Sequence, residues 1–227
     1  MPEKFVYSAV QDNSGMIWIG TGSGLYMFNG KSFKNFPSNK DISGHQINNV
    51  LTKLYKDYDG KIWLSSLNAI QKFDPNFKTF ESFKYDNGLE SIIKSLPNCF
   101  FRDANKKLWI GSQLNYWYLF DEKTNKVQNF IPKSNYLNEN SKSIVKFVQT
   151  HSNRTFAISN NGLFEFSKSG KINSHFNIEN NKAIKNDFYD GFYDENLNCI
   201  WLAGGENGIV KFDLKTNLFT YNRFLEK

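Results

Sequence analysis

Apolar and polar positions along the chain follow one order of segments five times over. Each unit opens on an alternating apolar run that ends in Asp or a substitute: SAVQD, KLYKD, FFRD, FVQT and GFYD. A short polar turn leads to a strand built on an aromatic anchor, in MIWIGT, KIWLSS, KLWIGS, TFAISN and CIWLAG. The anchors Trp18, Trp63, Trp109, Phe156 and Trp201 lie 45, 46, 47 and 45 residues apart. A small or polar turn follows, then a third strand ending in Phe with a polar residue after it: Phe28-Asn29, Phe73-Asp74, Phe120-Asp121, Phe166-Ser167 and Phe212-Asp213. A last aromatic strand (SFKNF, KTFESF, VQNF, INSHF, LFTYNRF) closes the unit before a polar connection to the next. Alternation with period two is the signature of strands, and the intervening turns have hairpin length. Each unit therefore predicts four antiparallel strands.

A four-stranded sheet repeated at this period is a propeller blade. The expected fold is all-β, a β-propeller of about five four-stranded antiparallel blades in one domain over residues 1–227. The blades fall at about 5–36, 47–83, 96–130, 144–176 and 187–224. A blade cannot bury both its faces alone, so the anchor is a wedge against the neighbour. One buried Trp removes about 150 to 250 Å² from water, roughly 4 to 6 kcal/mol before ordering entropy. Phe156 makes blade 4 the expected weakest wedge. Every unit runs from inner to outer strand, so closure would rest on blade 5 packing against blade 1 without a shared strand. A closed five-bladed ring is the expectation, because a fragment of a larger ring would leave two apolar faces exposed.

The order of apolar strand, Asp, turn, I-W-I-G-T, G-L and F-D/N resembles the two-component regulator propeller repeat. The best copy is VYSAVQDNSGMIWIGTGSGLYMFNGKSF; copies 2 and 5 are good, copies 3 and 4 worn. That repeat is known from the periplasmic sensor regions of hybrid histidine kinases of Bacteroidetes. There, two propellers precede a β-sandwich, a membrane span, a kinase and a receiver, whereas this sequence holds five repeats. The resemblance implies a non-enzymatic sensing or binding propeller, a glycan or related small molecule as ligand, the remainder of a sensor kinase as protein partner, and a periplasmic location.

Charge changes this picture little. The formal net charge is +6, yet three of the 28 cations are arginine (Arg102, Arg154, Arg223) and the lysines are scattered among 30 asparagines. Bidentate recognition of phosphate and base edges favours Arg, so a solvated lysine-rich surface is expected and a nucleic-acid partner is not. No apolar run approaches 18 residues, so no membrane contact is expected of this segment. The start, MPEKFVYSAV, lacks a basic region followed by an apolar one. That start is compatible with a cytoplasmic protein or with a segment of a longer exported one. Cys99 and Cys199 make neither a disulfide framework nor a metal site, and no cofactor is expected.

Candidate chemistry divides between two places. Ten residues before each anchor, allowing one extra residue in blade 5, stand Ser8, Lys53, Cys99, Lys146 and Asp190 on the inner strands. Apolar positions two residues to either side are expected on the same face, from Val6, Leu51, Pro97, Ile144 and Phe188 to Val10, Tyr55, Phe101, Val148 and Phe192. Two lysines and an aspartate at one level near the axis must be paired, hydrated or used by a ligand. Lys146 with Asp190 is the expected ion pair, and an anion or acidic sugar the alternative occupant. The second place is the face carrying the blade connections and middle hairpins, where the copies diverge. Tyr116 and Trp117 in SQLNYW, and Glu206 and Asn207 in GGEN, are its candidates, with one of the two adjacent aromatics expected to pack inward.

Catalytic and metal sites are not expected. His45, His151 and His175 fall at unrelated places in the repeat and cannot converge on one base or ion. The glycines of WIGTGSGLYMFNGKSF are one residue out of register for a phosphate loop, and a strand, not a helix, follows Ser32. Two competing functions remain. One is an intracellular protein-interaction propeller. The other is an enzyme like the streptogramin lyases, whose repeat grammar is related and which would need a His and carboxylates together at one channel mouth.

Overall fold

The computed structural model describes residues 5–37, 50–83, 87–114, 116–124, 126–130, 143–178, 188–204 and 208–221. They form five four-stranded antiparallel sheets, each made of strands consecutive in the chain. Blade 1 comprises β1 (Val6–Gln11), β2 (Ile17–Thr21), β3 (Gly24–Phe28) and β4 (Phe33–Phe36). Blade 2 comprises β5 (Leu51–Lys56), β6 (Ile62–Ser66), β7 (Ile70–Asp74) and β8 (Thr79–Ser82). A helix, α1 (Asn87–Lys94), lies in the connection that the sequence pattern marks only as polar. Blade 3 follows with β9 (Pro97–Arg102), β10 (Leu108–Ser112), β11 (Trp117–Asp121) and β12 (Lys126–Phe130). Blade 4 holds β13 (Ile144–Gln149), β14 (Thr155–Ser159), β15 (Gly162–Phe166) and β16 (Ile172–Phe176). Blade 5 holds β17 (Phe188–Asp194), β18 (Cys199–Gly204), β19 (Gly208–Asp213) and β20 (Leu218–Tyr221).

The Asp that ends each inner strand has a definite job. Its Oδ2 accepts the anchor indole N–H: Trp18 to Asp12 at 2.6 Å, Trp63 to Asp57 at 2.8 Å, Trp109 to Asp103 at 3.0 Å and Trp201 to Asp194 at 3.1 Å. Oδ1 of Asp12 and of Asp103 meanwhile ties down the turn, accepting from backbone N–H groups two and four residues on. A buried indole N–H is stabilised by such a partner. Blade 4 lacks both members, with Thr150 at the Asp position and Phe156 at the Trp position. Arg154 takes over part of the joint. Its guanidinium lies 5.0 Å from the Phe156 ring centre, forks onto Glu165 at 2.9 Å, and reaches the Leu214 carbonyl and Asn217 Oδ1 of blade 5.

Blades meet through a repeated aromatic contact. Each anchor packs on the Phe ending the third strand of the next blade: Trp18 on Phe73 (4.7 Å), Trp63 on Phe120 (6.0 Å), Trp109 on Phe166 (4.9 Å) and Phe156 on Phe212 (6.0 Å). All four anchors are at most 1% exposed. The expected weak wedge at Phe156 is as deeply buried as the others, and the least buried anchor is Trp201, which is only partly covered.

Among the described residues the ring is not closed. Inner strands pack in sequence, β1 on β5, β5 on β9, β9 on β13 and β13 on β17, but β17 and β1 do not form such a pair. The closed five-bladed ring expected from the sequence is thus replaced by an arc.

Candidate functional site

Every inner strand carries a bulge at one equivalent position, so the pairing register skips Tyr7, Thr52, Asn98, Val145 and Tyr189. A bulge adds one residue and reverses which face later side chains take. The expected shared face for positions twelve and ten before the anchor therefore does not hold. Leu51, for example, sits with Leu54 in the core between blades 1 and 2, while Tyr55 packs into the core between blades 2 and 3.

The level of Ser8, Lys53, Cys99, Lys146 and Asp190 is correspondingly mixed. Ser8 Oγ accepts the Leu54 N–H across the blade joint at 3.1 Å. Cys99 is sealed beneath blade 4, and burial pushes its thiol up to about 12. Lys146 Nζ meets Asp190 at 2.7 Å, the pair that the repeat frame anticipates, with both side chains well exposed. Burial alone would raise the Asp190 pKa, but the bonds from Lys146 and the Gly191 N–H, with the charge of Lys53, hold it below the usual carboxylate value. Lys53 is partly buried and acts on the same carboxylate through space.

On the connection face the two adjacent aromatics part company. Trp117 is fully buried between blades 3 and 4, packed on Phe164 and Phe166 at 5.7 and 5.8 Å. It is withdrawn from the ligand candidates. The register explains why: Trp117 pairs with Gly111 as Leu25 pairs with Gly20, Ile70 with Ser65 and Leu163 with Ile158, all core positions. Tyr116, one residue earlier, turns the other way. It lines a cavity of about 310 Å³ with Leu114, Tyr118, and Glu90, Ser91, Lys94 and Ser95 from α1 and its end. Tyr118 forms the floor, its ring 6.3 Å from that of Tyr116 and its hydroxyl donating to the Ser91 carbonyl at 3.4 Å. Glu90 and Lys94 pair at 2.7 Å on the exposed rim. The helix is amphipathic, and Ile92 enters the core beside Trp63, which is what holds this wall in place. Glu206 and Asn207 lie outside the described residues.

Sequence reasoning missed α1 and with it four of the seven lining residues. The signal was present in NGLESIIK, where Leu89, Ile92 and Ile93 fall at helical spacing. It also missed a charged joint between blades 2 and 3. Arg102 forks onto Asp57 and reaches Glu122, while Lys72 meets Asp59 at 2.8 Å and Glu122 at 3.6 Å, with Lys72 and Arg102 each 7% exposed. Burial opposes the charge on Asp57, yet Arg102 and the Trp63 indole outweigh it and lower the pKa. Two cations and three carboxylates, each with an oppositely charged neighbour, thus tie blade 2 to blade 3.

His151 meets Glu195 at 2.8 Å on the surface, and His175 is stacked on Phe164 at 4.3 Å with Nε2 on the Asn161 carbonyl. His45 lies outside the described residues. Among the described residues no three His, Cys, Asp or Glu side chains are grouped to hold a metal ion.

Residues 1–23 match the family profile described as two component regulator propeller. The fold is that of solved β-propellers. The extracellular domain of a hybrid two component system from B. thetaiotaomicron superposes with a TM-score of 0.74 at 19% identity, covering 97% of this chain and 30% of that one. A one component system from the same organism gives 0.72 at 17% identity, over 97% and 28%. Virginiamycin B lyase from Staphylococcus aureus gives 0.71 at 14% identity, over 96% and 69%. The chain thus spans less than a third of those sensor domains. Among curated protein sequences none matches it.

Proposed function

We propose that this chain is a non-enzymatic sensing propeller that binds a glycan or related small molecule, as part of a sensor of the hybrid two-component kind facing the periplasm. The observation that carries the reading is the cavity between α1 and Tyr116, on the face where the five copies diverge. Its lining offers one aromatic face, several hydroxyls and a self-neutralised Glu90–Lys94 pair, a set suited to a hydroxyl-rich ligand of low charge. Its one carboxylate, Glu90, is engaged by Lys94 on the rim. The propeller repeat and the likeness to extracellular sensor domains support the sensing role, with the rest of a sensor as protein partner. The likeness to the lyase is one of fold.

Calorimetric titration with a panel of neutral and acidic oligosaccharides tests this. Tyr116→Ala is expected to abolish binding of the panel member that binds, with an unchanged Tm, while Lys53→Ala and Lys146→Ala bind as the parent does. A panel without any binder sinks the glycan reading. Loss of binding in the lysine variants, with Tyr116→Ala unaffected, moves the site to the inner strands and overturns this assignment.

A further inference from the structure

Two hollows in the arc have walls of different kinds. An open groove of about 170 Å³ at the end of blade 5 is walled by strand residues alone, among them Phe192, Trp201 and Ile209. Sheet hydrogen bonds hold such a wall in shape whether or not anything lies against it. The cavity beside Tyr116 is built otherwise. Four of its seven lining residues come from α1 or the residue just after it.

On its own α1 is a poor helix. It has eight residues, a length at which an isolated helix is unstable in water, and one of them is Gly88. The exposed Glu90–Lys94 pair adds little. The last turn closes through Ser95, whose Oγ donates to the Ile92 carbonyl at 2.7 Å, and then through Leu96, whose N–H donates to the Ile93 carbonyl at 3.0 Å. Leu96 stands at φ 58°, the left-handed conformation that suits glycine and strains a residue with a Cβ. The same residue links the two walls of the cavity. Its carbonyl accepts the Gln113 N–H at 3.0 Å, from the turn that carries Leu114 and leads to Tyr116. What holds α1 down is tertiary: Ile92 is fully buried beside Trp63, on which Phe83 stacks at 5.3 Å. The Tyr118 hydroxyl adds a bond to the Ser91 carbonyl at 3.4 Å, the long end of the hydrogen-bond range.

We infer that α1 folds onto the joint between blades 2 and 3 as the ligand binds, so that the helix is the responsive wall of the site and Leu96 its hinge. This rests on the reading of that cavity as the ligand site. Without the helix the cavity keeps only Leu114, Tyr116 and Tyr118, so an occupant binds the formed state far more tightly and draws the equilibrium toward it. Ile92 carries the change inward. It does not line the cavity, and it covers the anchor of blade 2 only when the helix is formed. Occupancy is thereby coupled to the packing of Trp63 between the two blades.

Amide hydrogen exchange and calorimetry on the 227-residue chain test this, with the parent, Gly88→Ala, Leu96→Gly and Ile92→Ala compared. In the free parent the α1 amides are expected to exchange within about tenfold of an unstructured peptide, while those of β10 stay protected. The oligosaccharide that binds in the panel slows the α1 amides on saturation. Gly88→Ala and Leu96→Gly slow them in the free chain and tighten binding by the same factor, about threefold to fivefold each. Ile92→Ala, which removes no cavity contact, weakens binding by about tenfold. Exchange of α1 as slow as that of β10 in the free parent overturns the proposal. So does affinity that stays level while exchange changes. A panel without a binder sinks the glycan reading, and the free chain still decides here: poorly protected α1 amides that both helix-favouring variants slow support the hinge, and equal exchange in all four proteins overturns it.

Discussion

Trp109 and Trp201 stand at the same place in their blades and live in different surroundings. Both indoles donate to the Asp at the end of their own inner strand. Trp109 is then roofed by Phe166 of blade 4 and is fully buried, whereas Trp201 has the open groove before it. The repeat therefore builds the blade, and the neighbour builds the core. A strand pattern, an Asp and a Trp are local properties; burial of the ring is a property of the joint.

The largest effect expected from this contrast is on stability. Trp109→Ala removes a sealed ring and leaves a cavity between blades 3 and 4, at a cost of about 3–5 kcal/mol. Trp201→Ala removes a ring that is already wet on one side, and about 1–2 kcal/mol is expected. Urea titration of the two variants against the parent measures both. Equal losses would mean that Trp201 is sealed in solution.

Acid sharpens the comparison between blades that kept the Asp and the one that did not. For Asp12 and Asp57 burial works to raise the pKa, but the indole and other hydrogen bonds outweigh it, and both are lowered; Asp194 is lowered chiefly by the Leu197 N–H and the Trp201 indole. Groups with depressed folded values contribute stability that is complete above the unfolded value and is lost as pH falls through the folded one. Stability should hold level from neutrality to about pH 4 and decline below it. Hydrogen exchange resolved by segment should show blades 1 and 2 loosening there before blade 4, whose Thr150 has no proton to take up. Blade 4 loosening first would contradict the role given to the Asp–indole bond.

The smallest effect concerns the inner strands. Lys146 and Asp190 are well exposed, so Lys146→Ala should change stability by no more than about 0.5 kcal/mol. A loss several times larger would show the pair covered.

Much of the fold is legible in the sequence because its determinants are local and repeated five times. Anchor spacing, the Asp, the turn glycines and the third-strand Phe each read directly into strands and joints. Strand alternation already implied that one of Tyr116 and Trp117 packs inward, and aligning Trp117 with Leu25, Ile70 and Leu163 identifies it as the core member. The recurring bulge left no sign in the alternation, and it alone moved the inner-strand level out of a single face. Ring closure was illegible for a different reason. The angle between blades depends on side-chain volumes meeting across a joint, such as Gly111 on Ile144 or Ile158 on Gly191, and no single repeat contains both partners.

The central claim is that the four inner joints are sealed and the end of blade 5 is not. Oxidative labelling of the 227-residue chain, at a concentration where it sediments as a monomer, tests it most directly. Trp201 should be modified readily while Trp18, Trp63, Trp109 and Trp117 stay protected. Protection of Trp201 equal to that of Trp109 in the monomer would contradict the account.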